Sequence, residues 1–183
     1  MKIKIRSETT NDYSKITEIN IRAFNQYNEA RLIENLRKKK DFIADLSLVA
    51  EYNNRLVGHI LFYPISIIGK GKKYSSLALA PMSVLPEYQN KRVGSKLIKK
   101  GLKIAKNLGF KSVIVLGYPE YYSRFGFEKA SKWNIKPPFD VPDDAFMAIE
   151  LVDNGLKNVS GIVEYPEEYK EDGEDGVRSS NFT

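Results

Sequence analysis

The chain contains no cysteine and only one histidine, His59. The lack of thiols excludes a cysteine nucleophile, disulfides and thiolate-bound metal, and leaves the redox compartment open. One imidazole is too few for a His-rich metal site, so no metal is expected. Long hydrophobic runs are also missing. The opening MKIKIRSETT lacks the apolar stretch of a signal peptide, and no apolar run approaches the ~20 residues of a membrane span. A cytoplasmic protein without a membrane partner is the expectation. Repeats are absent, and so is low complexity outside the C-terminus.

What is present is an ordinary globular composition. The 183 residues are 42% hydrophobic and 28% charged, enough for one domain with its own core. Charge is distributed unevenly. Residues 164–183 carry seven acids against Lys170 and Arg178, a net of −5, so the total of +6 leaves +11 on residues 1–163. The expected organisation is one domain over 1–163 and an acidic, poorly ordered tail over 164–183. A basic body suits an anionic ligand, nucleic acid included. The interleaved aromatic and basic residues of an RNA platform are lacking, and no nucleic-acid partner is expected.

Periodicity supplies the elements. Ile3 and Ile5 alternate with charge in Lys2–Arg6, as in a half-buried strand. Ile16, Ile19, Ala23 and Phe24 recur at helical spacing after the capping residues Thr9–Asp12, and Leu32, Ile33 and Leu36 mark a second helix near 28–39. Strands follow at 46–52 and 55–68, joined by Asn53-Asn54, and at 75–84 after the GKGKK turn. A helix over 92–108 places Val93, Leu97, Leu102 and Ala105 inward, with Gly109 to end it. Further strands are read at 111–117, 127–133, 145–151 and 159–164, with a Pro-rich loop (Pro137, Pro138, Pro142) before the third of these. The order implies an α/β (α+β) domain, a sheet with flanking helices.

Most of the chemistry is concentrated in SVLPEYQNKRVGSKLIKKGLKIAK, residues 83–106. A strand runs through Pro86 into a polar turn that opens directly into the amphipathic helix. The first N–H groups of a helix lack internal partners and lie at the positive end of its dipole. With Lys91 and Arg92 beside them and Gly94 permitting close approach, they suit a phosphate. An ordinary strand-to-helix connection with solvated basic residues explains the stretch equally well.

The spacing of Val84, Pro86, Gln89 and Gly94 resembles V-x-P-x-x-[QR]-x-x-G-x-[GA], the acetyl-CoA pyrophosphate signature of the GNAT acetyltransferase superfamily. Arg92 stands where that signature usually has its first glycine. A negative φ, as in a first helical turn, would still let its N–H donate. A second patch, VLGYPEYYSRFGF at 115–127, is similar to the family segment that often reads FYEKLGF. PPFDVPDDAFMAIEL (137–151) resembles the C-terminal part of a small bacterial GNAT subgroup. Together the likeness covers about the first five-sixths of the chain.

The resemblance implies a GNAT-like mixed central sheet of about six to seven strands, flanked by about four helices, with the fourth and fifth strands splayed. It implies acetyl-CoA as cosubstrate, bound along Met82, Ser83 and Val84 and at Gln89, Lys91, Arg92, Val93, Gly94 and Ser95. A primary amine, on a small molecule or a peptide, would attack the thioester in a ternary complex, and Tyr122 would protonate the leaving thiolate. Tyr121 would then serve mainly for packing. A non-catalytic acyl-CoA-binding regulatory or interaction module is the alternative, and a homodimer is compatible with either. By strand alternation His59 shares a face with Val57 and Leu61, as a packed histidine would. Glu51 is a weaker candidate base, and none is assigned. Trp133, Asp140, Asp143 and Asp144 could line an acceptor pocket, though an ordinary surface loop explains them better.

Overall fold

The computed structural model describes residues 1–170. One mixed sheet carries the whole architecture. Strands β1 (Lys4–Ser7), β2 (Ser47–Tyr52), β3 (Arg55–Gly69) and β4 (Lys72–Val84) form an antiparallel run. Asn53 and Asn54 (φ 48° and 59°) make the β2–β3 turn, and Lys70 and Gly71 (φ 50° and 69°) the β3–β4 turn. Positive φ at both central positions matches the twist of the flanking strands. Strand β5 (Ser112–Leu116) lies parallel to β4, and β6 (Glu128–Lys129), β7 (Ile135–Lys136), β8 (Phe146–Glu150) and β9 (Gly161–Glu164) complete the sheet. The order is β1-β2-β3-β4-β5-β8-β6, with β9 bonded to the far half of β3 and to β7.

Nine strands are present among the described residues, against six to seven expected. Both β6 and β7 are two residues long: β7 is too short to leave a period in the sequence, and β6 is what remains of a longer expected strand. The strand expected over 127–133 is accordingly a correction. Only Glu128–Lys129 pairs; Ala130–Trp133 coils into a 3₁₀ turn closed by left-handed Asn134.

Helices α1 (Tyr13–Phe24) and α2 (Asn28–Arg37) cover one face of the sheet. Ile16, Leu32, Ile33 and Leu36 meet Val49, Leu61, Tyr63 and Ala80 there. Helix α3 (Val93–Asn107) covers the other face, packing Val93, Leu97, Ile98 and Ala105 on Leu48, Ala50, Ile60 and Phe62. Leu102 is half-buried, and Gly101 occupies the inner stripe instead: a Cβ there would stand 2.1 Å from the Phe62 ring. His59 and Leu61 face α1 and α2. Val57 packs with the α3 cluster instead, because a register shift at Ala50/Glu51 breaks the alternation.

The fold continues past residue 163. Tyr165 stacks on Phe139 at 6.0 Å, Tyr169 is buried beside α2's hydrophobic stripe, and Glu168 pairs with Lys39. The acidic stretch beyond Lys170 lies outside the described residues. Among the described residues no helix is long and apolar enough to cross a membrane, and no acidic or histidine cluster could hold a metal ion.

Candidate active site

Strands β4 and β5 touch only at Leu77–Val113 and Ala78–Ile114 and then part. The far half of β4, including Met82, Ser83 and Val84, therefore keeps an edge without β5. A bulge between Ile60 and Phe62 puts an extra β4 residue opposite β3 here, and Pro81 removes a ladder donor. The resulting opening is V-shaped, with the start of α3 at its rim.

The turn into α3 is more strained than its residue types suggest. Asn90 and Arg92 have φ of 59° and 64°, both left-handed. The expectation of a negative φ at Arg92 is overturned. Arg92 adopts at the N-cap the conformation that a glycine reaches without cost, which explains why the family signature carries glycine there. The side chain of Arg92 stays exposed.

No side chain caps α3, and its first turn contains no acid. Lys96 N–H donates to the Arg92 carbonyl at 3.2 Å, which begins the helical ladder. Val93, Gly94 and Ser95 are the next residues inward, and among the described residues no side chain or loop carbonyl accepts from their amides. The side chains of Gln89 and Lys91 meet carbonyls of the protein itself. Gln89 Nε2 donates to the Val84 carbonyl at 3.2 Å, and Lys91 Nζ donates to the Glu87 carbonyl at 2.7 Å beside the Tyr88 ring. Both side chains brace the turn, and the Gln89 amide is itself spent on the Pro86 carbonyl at 3.2 Å.

Helix α4 (Pro119–Tyr122) follows β5 and carries the tyrosine pair, whose rings meet edge-on at 5.1 Å. Their roles in packing differ from the sequence reading. Tyr122 is the more deeply buried, at 6% exposure, against Phe127 and against Gly117, where a Cβ would stand 2.3 Å from its ring. Burial, with a small contribution from Tyr121, pushes its hydroxyl well above the usual phenol range, so it stays protonated. Tyr121 is half-buried, and its hydroxyl reaches over the start of α3 to Gly94 and the Ser95 side chain. Burial raises its pKa, partly offset by Ser95 and by Arg124, whose guanidinium lies 4.5 Å from the ring centre. Tyr121 thus meets the start of α3 as well as the core, a contact that only the helix geometry reveals.

Of the remaining candidates, Asp140 and Asp144 are exposed, and Glu51, Asp143 and Trp133 are engaged by basic side chains. Glu51 pairs with Arg6 at 3.2 Å, and exposed Asp143 pairs with Lys129 at 3.3 Å. Trp133 lies under Lys132 at 4.8 Å.

Comparison with known proteins agrees with this geometry. The Acetyltransferase (GNAT) domain family matches residues 4–130. The uncharacterized N-acetyltransferase YjhQ of Escherichia coli K12 is 37% identical over 134 residues, 73% of this chain and 74% of that protein. The uncharacterized N-acetyltransferase YhbS of E. coli is 31% identical over 166 residues, 90% of this chain and 97% of that one. The crystal structure of E. coli YhbS in complex with CoA superposes with a TM-score of 0.85 at 29% identity, covering 92% of each chain. A GNAT family acetyltransferase from Brucella melitensis, in complex with acetyl-CoA, gives 0.75 at 28% identity over 92% of this chain and 99% of that one.

Proposed function

Because this chain belongs to the GNAT family and is an acetyltransferase, we propose that it transfers the acetyl group of acetyl-CoA to a primary amine by direct attack in a ternary complex. The observation that carries the reading is the uncapped start of α3, beside the opening between β4 and β5. The amides of Val93, Gly94 and Ser95, with those of Lys91 and Arg92 in the preceding turn, receive the diphosphate. Pantetheine lies along Met82–Val84 like an added strand, using the edge that β5 leaves. Relatives crystallised with CoA and acetyl-CoA support this mode.

The amine nitrogen attacks the thioester carbonyl while both substrates are bound. A β4 amide near Met82 or Ser83 stabilises the oxyanion, a donor type worth ~3 kcal/mol in other enzymes. Tyr122 protonates the departing thiolate; burial keeps its hydroxyl in the donating form. A second reading gives that role to Tyr121, favoured by its hydroxyl's reach to Gly94 and Ser95. The acceptor is an amine on a small molecule or a peptide, and the reaction belongs to the cytoplasm.

Thiol release from acetyl-CoA across a panel of amines tests the proposal. Turnover with at least one acceptor is expected. Tight coenzyme binding without turnover by any amine would favour a non-catalytic acyl-CoA-binding module instead.

A further inference from the structure

Between the sheet and helices α1 and α2 lies a buried polar cluster with no part in the transfer just described. Glu8 follows β1, Ser47 begins β2 and His59 lies in β3; the last two are fully buried and Glu8 is 8% exposed. Arg37 of α2 forks onto the Glu8 carboxylate, with Nε to Oε1 at 2.7 Å and Nη2 to Oε2 at 3.0 Å. The Ser47 hydroxyl donates to Glu8 Oε2 at 2.6 Å. His59 Nε2 stands 2.9 Å from Ser47 Oγ and 3.4 Å from Glu8 Oε2.

These contacts fix the tautomer. The Glu8 carboxylate, ionised beside Arg37, can only accept, and Ser47 has committed its single proton to it. Nε2 of a neutral imidazole must therefore carry the hydrogen, which leaves Nδ1 as a bare acceptor. Nδ1 has no partner among the described residues. Directly opposite His59 on β4 is Ser83, 1% exposed, whose hydroxyl also has none. Asn20 of α1, fully buried in the helix that packs on β3 and β4, gives its amide to the Ile16 carbonyl at 2.9 Å, and its Oδ1 is unpartnered too. Buried polar atoms left in this way are costly unless water reaches them. All three belong to elements that pack together, and Ser83 adjoins Met82 on the strand edge.

Resting on the acetyl transfer read above, we propose that His59 Nδ1 is the terminal proton acceptor for the attacking amine, reached through water and the Ser83 hydroxyl. As the C–N bond forms and the C–S bond breaks, the thiolate takes the phenol proton. The surplus proton on nitrogen passes through water and Ser83 to Nδ1, then returns to solvent as the phenolate is reprotonated. Of the charged groups that face the imidazole, Glu8 stabilises the imidazolium and Arg37 opposes it; β4 presents the uncharged Ser83 opposite. Burial lowers the His59 pKa, so the ring is neutral and receptive at neutral pH.

The single histidine makes the test direct. In protein freed of any His tag, long-range ¹H–¹⁵N spectra should show Nε2 protonated and Nδ1 bare; a protonated Nδ1 would overturn the proposal. His59→Gln, which can keep the contact to Ser47, should lower kcat/KM about 100-fold near neutral pH. Acetyl-CoA affinity should be unchanged, and the rate should recover as pH rises and hydroxide takes the surplus proton in place of the imidazole. Should that buried variant not fold, Ser83→Ala should show the same pH-dependent loss in weaker form. Turnover with pH profiles that superpose on the wild type sinks this inference alone. Failure of acetyl-CoA to bind in calorimetry sinks the acetyl transfer and this inference with it.

Discussion

The Tyr121 hydroxyl lies 2.7 Å from where a Cβ on Gly94 would stand, with the Met82 thioether 3.2 Å from the same point. Two segments separated by 27 residues thus meet at one atom-sized gap, and the glycine is what permits the meeting. The glycine therefore has a packing reason inside the fold, whatever binds beside it.

Gly94→Glu should weaken acetyl-CoA binding at least tenfold, since the side chain collides with Tyr121 and adds negative charge beside the diphosphate. Calorimetric titration reads this. Unchanged affinity would put the phosphates elsewhere.

Tyr122→Phe should cut turnover by about 100-fold with little change in acetyl-CoA affinity. Tyr121→Phe, measured alongside, should act mainly on affinity through its contact at Ser95. If instead Tyr121→Phe loses turnover and Tyr122→Phe does not, the acid is Tyr121.

Gly101→Ala pits two effects against each other. Helix propensity favours alanine by about 1 kcal/mol, but the new methyl would lie 2.1 Å from the fully buried Phe62 ring. Overpacking of this kind costs about 1–3 kcal/mol, and the ring has no room to retreat. Net destabilisation is expected in urea unfolding; a higher midpoint would refute it.

Stability should fall in acid through Glu8 and His59. Burial raises the Glu8 pKa, but hydrogen bonds from His59, Arg37 and Ser47 outweigh it and hold the carboxyl down at about 2, against an ordinary 4.5. A depressed pKa means that the unfolded chain binds the proton first, so this contribution is intact above about pH 4.5 and lost on the way to 2. His59, lowered by burial from 6.5, adds the same sign of loss below that value. Glu8→Gln leaves Arg37 buried without its carboxylate and should cost about 3–5 kcal/mol, with a flatter acid limb in thermal melts.

Long periodic elements were legible from the sequence because burial imposes their spacing. Helices α1 to α3 and strands β2 to β5 fall within a few residues of where Ile16, Leu36, Leu97 and the alternating strand residues put them. Elements set by tertiary pairing were not. Strands β6 and β7 exist only because β8 and β9 offer them two partners each. At the site, the residue types of the turn were readable, but its handedness at Arg92 was not, since arginine gives no hint of positive φ. The engagement of Gln89 and Lys91 with neighbouring carbonyls was equally hidden. Glu8 and Arg37 are 29 residues apart and reach His59 from different elements, so no local pattern announces them.

Strand β9 has one further consequence, for synthesis. Its residues Ile162, Val163 and Glu164 bond to Ile68, Ile67 and Ser66, nearly a hundred positions earlier. A chain emerging from the ribosome therefore displays a naked β-edge, rich in isoleucine, until residues 161–164 have been added. Nascent chains stalled before residue 161 should be cleaved by added protease near Ser66–Ile68, whereas released full-length chains should resist; equal resistance would show that the early strands close that edge by themselves.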